Sequence, residues 1–419
     1  MKKLIVIFLI VVGIYLQLFA QENTMDKFYH EIKLSVNNPT SIERINELVL
    51  INIDRLKSKN NNFNKDAFII YENEKEIPSQ LYNNGFDCSI LFVTNFLPNE
   101  SKVFSIKYLE NGKLRRDYKP RTYAELAMKF NSSYRDKKFT NEPFQNFTKV
   151  VVPKIHTDHD ALFKYEGPGW ESEKVGYRFY LDWRNATDIF GKKVNDLVLH
   201  KVGTVDLIAK DDSYHEMQEW GMDIFKVGST LGIGSIGMMN ADSIYMVSET
   251  DEVICEINYN GPILSEVKTD YKRWKVGEQK YDLVSKFSIA AGSRITNVDL
   301  SIYDAAENIT TGLAKHENAD FMKSESNGDW QYIALYGKQT LNNDNLGIVL
   351  FYKKSDLIKQ GETVLNYYVS LKPIKNKVNY AFAAAWEKEL NGIKTKEEFI
   401  DYINDEITKF NNPLQIKVN

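Results

Sequence analysis

The chain has 419 residues, 43% of them hydrophobic and 26% charged, with 53 Lys and Arg against 57 Asp and Glu and a formal net charge of −4. That is enough chain to bury a sizeable core, and the mildly acidic balance argues against nucleic acid as a partner while leaving room for an anionic ligand held by local Lys or Arg. Two cysteines, Cys88 and Cys255, are too few for a disulfide scaffold, although an exported chain could pair them.

Residues 1–20 read as an export signal, with Lys2 and Lys3 as the basic start, an apolar run from Leu4 to Val12, and Ala20 before a polar segment. Gly13, Tyr15 and Gln17 interrupt the run before it reaches spanning length, which favours a cleaved peptide over a permanent anchor. No second apolar segment is long enough to span a bilayer, so the expected location is periplasmic, with an extracellular one as the alternative. Residues 21–419 are expected to form a single large β-sandwich domain, with 21–130 as its β-rich N-terminal part and 380–410 as a C-terminal helical segment.

From Leu48 to about Glu110, short runs such as AFIIY, CSILFV and VFSIKYL alternate with turn residues and predict antiparallel strands. Thr122 with Glu125 three residues on suggests a short helix over Thr122–Phe130. Asn131–Asn146 has no period and reads as a long loop that could border a ligand cleft. Strand-like runs follow from SIYMVSE to VLNYYVSLKPI with no interleaved amphipathic helices, which argues for a sheet-on-sheet fold. Helix returns at the end: Ala381–Leu390 has helix-forming composition, Thr395 and Glu398 form a capping pair, and Phe399, Tyr402, Ile403 and Ile407 recur at helical spacing until Asn412-Pro413.

The densest chemistry lies in Tyr165–Lys193, YEGPGWESEKVGYRFYLDWRNATDIFGKK. Read as a strand, Lys174–Arg184 separates into an apolar face (Val175, Tyr177, Phe179, Leu181, Trp183) and a polar face (Gly176, Arg178, Tyr180, Asp182, Arg184). The bland alternative is a solvated face with Arg178 and Asp182 paired across it. Gly167-Pro168-Gly169 implies a tight approach, and Trp170 with Glu171 at the strand entry is a pair able to stack on and hydrogen-bond a sugar.

His156-Thr157-Asp158-His159-Asp160 admits a metal reading. In an extended segment, however, His156, Asp158 and Asp160 would share one face and His159 the other, which weakens a zinc site and leaves a Ca²⁺ near Asp158 or Asp160 as the metal candidate. The preferred role for His159 is acid/base, against the alternative of a structural histidine. Tyr214-His215-Glu216, with Trp220, Asp223 and Lys226 behind it, offers a second acid/base histidine, His215, and a stacking ring, Trp220. Gly232-Ile-Gly234-Ser-Ile-Gly237 matches a dinucleotide fingerprint in letters, but the strand-like Met238–Val247 follows where a helix is required, so the glycines read as a tight backbone segment. No Gly-x-Ser-x-Gly or His-Glu-x-x-His motif is present.

These segments, together with LGIGSIG and Phe382-Ala-Ala-Ala-Trp386, resemble a family of exported Bacteroidota proteins found among polysaccharide-utilisation genes and labelled a domain of unknown function. The resemblance spans most of the chain and extends to the galactose-mutarotase-like supersandwich shared by mutarotases, hydrolase accessory domains and some polysaccharide lyases. It also reaches dehydratases acting on the terminal uronate of ulvan oligosaccharides. It implies a mainly β fold and a dehydratase or lyase performing β-elimination on an anionic, uronate-containing oligosaccharide; the sequence itself requires no cofactor. Elimination needs a cation beside the carboxylate, for which Arg178 and Lys192 are candidates, and a base and an acid from among His159, His215 and Tyr180. Trp170, Glu171, Asp182 and Trp220 would complete substrate binding. The competing expectations are a non-catalytic sugar-binding protein using Trp170, Trp183 and Trp220, and a hydrolase pairing Glu171 with Asp182 or Glu166.

Overall fold

The computed structural model describes residues 28, 30–85, 87–140, 143–205, 208–209, 213–325 and 327–419; the expected export signal lies outside them. The described chain is mainly antiparallel β with one long C-terminal helix, as the strand-rich sequence predicts. It divides into two compact units, one made of the residues up to Tyr118 with Leu414–Asn419, the other of Lys119–Pro413.

The smaller unit has a five-stranded and a three-stranded sheet. Alternate residues of their strands, Ile32, Leu34 and Val36 from one sheet and Val49, Ile51, Ile90 and Phe92 from the other, share one buried cluster. The last strand, Gln415–Val418, lies along the edge of His30–Asn37, so the chain's end completes the sheet begun near its start.

The larger unit is built on a nine-stranded sheet that includes Leu264–Val276, Gln279–Ala290 and Lys377–Trp386. One face of it meets two five-stranded sheets in a continuous core containing Trp170, Tyr177, Phe287, Leu313 and Phe382. The helix Lys396–Asn411 covers the other face through Phe399, Ile403 and Ile407. Thr395 caps this helix as expected, its hydroxyl accepting from the Glu398 backbone N–H at 3.2 Å.

Two helical expectations fail. Ala381–Leu390 begins inside the strand Lys377–Trp386, where Phe382 and Ala384 point into the main core while Ala381, Ala383 and Ala385 lie under the helix. The alanines are there because a strand buried on both faces needs small side chains on the side the helix approaches. Thr122–Phe130 forms the short strands Thr122–Glu125 and Ala127–Lys129, with the Thr122 hydroxyl bonding to the Gly261 carbonyl rather than capping a helix. The expected loop Asn131–Asn146 contains the hairpin Ser133–Arg135 with Lys138–Thr140 and the strand Phe144–Asn146. Among the described residues no helix is long and apolar enough to cross a membrane, and Cys88 and Cys255 are free thiols.

Candidate functional site

The site sheet of the larger unit runs Gly221–Asp223, Thr187–Lys192, Val175–Phe179, Gly169–Ser172, Thr122–Glu125 in spatial order. Its inner face carries Trp170, Tyr177 and Ile189 into the core. Arg178, one residue out of phase with Tyr177, lies on the other face with Asp188 as its cross-strand partner. The close approach expected at Gly167-Pro168-Gly169 is present: a Cβ on Gly167 would lie 2.0 Å from the Phe179 carbonyl oxygen.

Strand alternation stops at Phe179. Asp182 closes a turn by accepting from the Arg184 backbone N–H and clasping its guanidinium. Trp183, expected in the core, is therefore 50% exposed. The bland alternative of Arg178 paired with Asp182 on a solvated face does not occur either: each has separate partners and both are buried.

Arg178 is fully buried. Its Nε and Nη2 reach Asp188 at 3.2 and 2.8 Å, Nη2 also reaches Asp223 at 2.5 Å, and Nη1 donates to the Tyr165 carbonyl and the Tyr214 hydroxyl. The Glu166 carboxylate lies 3.6 Å from Nη1. Burial opposes its charge, but Asp223 and Asp188 more than compensate and hold the guanidinium protonated. Burial and the neighbouring Asp223 charge push the Asp188 carboxyl up to about 6 against the pull of Arg178. Burial would also raise Glu166, yet Arg178 and Arg184 outweigh it and hold that carboxyl at about 2.

Two histidines end this network. His215 Nε2 is 3.0 Å from Asp223, and its side chain is 35% exposed. At the other end His159 bonds through Nδ1 to Asp158, lies 3.5 Å from Glu166, and is 59% exposed. The extended geometry considered for His156–Asp160 does not occur. Asp160 is buried and ties a turn by accepting from His156 Nδ1 and the Thr157 and Leu162 backbone N–H groups. His159 takes φ 56° in this turn, and its backbone N–H donates to Glu166.

Several expected ligand contacts are excluded by burial. Trp170 is fully buried and donates its indole N–H to Thr296, so it offers no ring to a sugar. Glu171 and Lys192 form a fully buried ion pair, and Glu171 also accepts from the Val198 and Leu199 backbone N–H groups. Arg178 and Lys192 are thus both committed internally and neither is free to meet a substrate carboxylate. Tyr180 is 4% exposed and donates to Asp188, which makes it a support of the network rather than a proton donor to a ligand. Asp182 is spent on Arg184, while Trp220 is half-buried beside a separate cavity.

Asp158, His159 and Glu166 bring possible ligand atoms within 4.8 Å of one another, but Arg184 Nη2 lies 2.8 Å from both carboxylates and already supplies the positive charge. Both oxygens of Asp160 already accept hydrogen bonds within its own turn. These residues do not fit the oxygen-rich shell of a Ca²⁺.

The glycines of Gly232–Gly237 serve packing. A Cβ on Gly232 would lie 2.1 Å from the Thr187 carbonyl oxygen and one on Gly234 2.3 Å from Phe382, and Gly237 opens a strand where a dinucleotide fingerprint requires a helix. Sequence reasoning missed the structural importance of Asp188 and Asp223. A carboxylate in the apolar run Ala186–Phe190 was the available signal for Asp188, but its registry with Arg178 is set only by pairing.

No curated protein matches the sequence. Among solved structures, a protein in the glycosyl hydrolase family 38 from Enterococcus faecalis is 8% identical, with a TM-score of 0.45 over 93% of this chain and 47% of its own. An alpha-mannosidase from the same organism is 9% identical, with a TM-score of 0.45 over 93% and 46%. A protein assigned to the aldose 1-epimerases from Klebsiella pneumoniae is 9% identical, with a TM-score of 0.30 over 65% of this chain and 90% of its own. The chain spans about half the length of the first two. The match that covers the sequence is at the family level: over residues 36–416 the chain belongs to the family described as Domain of unknown function (DUF4861).

Proposed function

We propose that this chain is an exported, periplasmic carbohydrate-active lyase or dehydratase performing β-elimination on uronate-containing oligosaccharides. The observation that carries this reading is the placement of His159 and His215, each partly exposed and each bonded to a carboxylate, at opposite ends of one network through Glu166, Arg178 and Asp223. A carboxylate on one ring nitrogen fixes the tautomer and orientation of an imidazole, which suits such a ring to proton transfer.

In the reaction one imidazole takes the C5 proton, the C5–H electron pair forms the C4=C5 bond, the C4–O bond breaks, and the other histidine, as imidazolium, protonates the departing oxygen. Water leaves in a dehydration, a sugar in a lyase step. The cation beside the substrate carboxylate comes from neither Arg178 nor Lys192. The hairpin bonded to the His159 turn, through the Phe139 backbone N–H and the Asp160 carbonyl at 2.7 Å, exposes Arg135, Lys137 and Lys138. Arg135 and Lys138 are directly opposed across its two strands. Like charges in that arrangement repel, and an anionic ligand between them relieves the repulsion.

The hydrolase alternative has lost its geometry, since Glu171 is sealed in the interior and Glu166 and Asp182 share one guanidinium instead of facing each other across a gap. The test is ultraviolet absorbance of the unsaturated uronate on incubation with uronate oligosaccharides, using wild type, His159→Ala and His215→Ala. Each variant should lose about 100-fold or more in rate. Retained rates, or bound substrate with no unsaturated product, would overturn elimination; new reducing ends without that absorbance would revive hydrolysis.

A further inference from the structure

A cavity of about 950 Å³ opens beside Trp220, and its lining includes none of the histidine network. Phe190, in the apolar cluster with Tyr165, Leu199 and Tyr214, packs against both Trp220, at 6.1 Å, and Tyr214, at 5.9 Å. The cavity is therefore a separate place on the outer face of the site sheet.

Buried charge holds its walls. Glu171 grips the Val198 and Leu199 backbone N–H groups at 2.7 Å, and Lys164 donates to the Leu199 carbonyl at 2.7 Å and to Glu125 at 2.6 Å. The other oxygen of Glu125 accepts from the Tyr123 hydroxyl at 2.8 Å. Two ion pairs, Glu171 with Lys192 and Glu125 with Lys164, are thus sunk in the interior to orient the turn Val198–Lys201 and the Tyr123 ring. Buried ion pairs are a poor source of net stability; here they fix the shape of a wall. Trp220 is set similarly. Its carbonyl accepts from the Lys193 backbone N–H at 2.7 Å, and the next residue, Gly221, takes φ 135°, where a Cβ would lie 1.9 Å from the Gly191 carbonyl oxygen.

Charge on the lining selects the ligand class. Arg121 is paired with Glu173, leaving Lys119 and Lys201 against Asp196 and Glu219. Two cations and two anions create no net attraction for an acid, but they set both donors and acceptors in a lining that also holds the Tyr123 and Trp220 rings. That combination suits a hydroxyl-rich ring whose C–H face stacks on indole. We infer that this cavity is a binding site for neutral sugar units, separate from the histidine network and able to engage a different part of a glycan chain. The inference does not depend on elimination being the reaction.

Isothermal titration of the full chain with neutral gluco-, galacto- and xylo-tetrasaccharides, and with uronate tetrasaccharides in parallel, tests it by binding alone. At least one neutral probe should bind, Trp220→Ala should weaken it by about 10-fold or more, and Trp220→Phe should retain most of the affinity. Should Trp220→Ala fail to fold, the exposed-residue variant Lys201→Ala takes its place and should weaken binding several-fold. Unchanged affinity in whichever variant folds, no binding of any neutral probe, or binding of uronate probes only would overturn the inference. Absence of unsaturated product in the elimination assay would leave it standing.

Discussion

Arg178 shows how a residue chosen for its charge can serve a different end from the one its type suggests. A guanidinium on a strand's polar face looks like a carboxylate receptor, yet here Asp188 and Asp223 take its donors from inside the protein. What reaches the surface is the pair of histidines at the network's ends. Glu166 links one of them to Arg178, and its depressed titration makes a stability prediction with a definite sign. A carboxyl held at about 2, below its ordinary 4.5, contributes stability that is fully present above pH 4.5 and is lost as pH falls toward 2. Glu166→Gln should therefore cost about 3 kcal/mol at pH 7, with the difference from wild type shrinking toward zero near pH 2. Urea unfolding at several pH values measures it. Asp188, raised to about 6, has the opposite sign: its contribution is present below pH 3.8 and is lost as pH rises through 6. The comparison with the variant, rather than the raw wild-type curve, therefore isolates Glu166. A constant difference across the range would mean that Glu166 is not held by the two arginines.

At the scale of elements, packing overrides composition in the strand Lys377–Trp386, whose alanines make room for the helix Lys396–Asn411. Removing the Thr395 cap by Thr395→Ala should cost about 1 kcal/mol, and Phe399→Ala, at a fully buried position between helix and sheet, about 3–5 kcal/mol. Both are read from denaturant midpoints, and equal losses would contradict the packing described. In the site sheet, Lys192→Met would leave the Glu171 carboxylate buried without its ion-pair partner. The expected loss is about 3–5 kcal/mol. A loss below about 1 kcal/mol would show that water reaches the pair.

At the scale of the whole molecule, the strand Gln415–Val418 belongs to the smaller unit although the helix just before it belongs to the larger one. Deleting residues 414–419 removes an edge strand and the buried Val418 from the smaller unit alone. Calorimetry should show one transition lowered in temperature and the other unmoved; a uniform shift would mean the two units unfold as one. The mainly β class, the capped terminal helix and the core face of Val175–Phe179 were legible in the sequence because each rests on local period, capping chemistry or turn residues. Tyr165–Lys193 and the two histidines beside it also stand out in the sequence, as an unusual density of groups able to carry chemistry. Only tertiary structure decided which polar groups face solvent. Burial of Trp170, Glu171, Arg178 and Lys192 depends on the sheet, turn and cluster that cover them, and the partners of Arg178 come from strands whose register no local pattern encodes. Alternation tells which side of a strand a residue occupies; what lies against that side is fixed by chain segments distant in sequence.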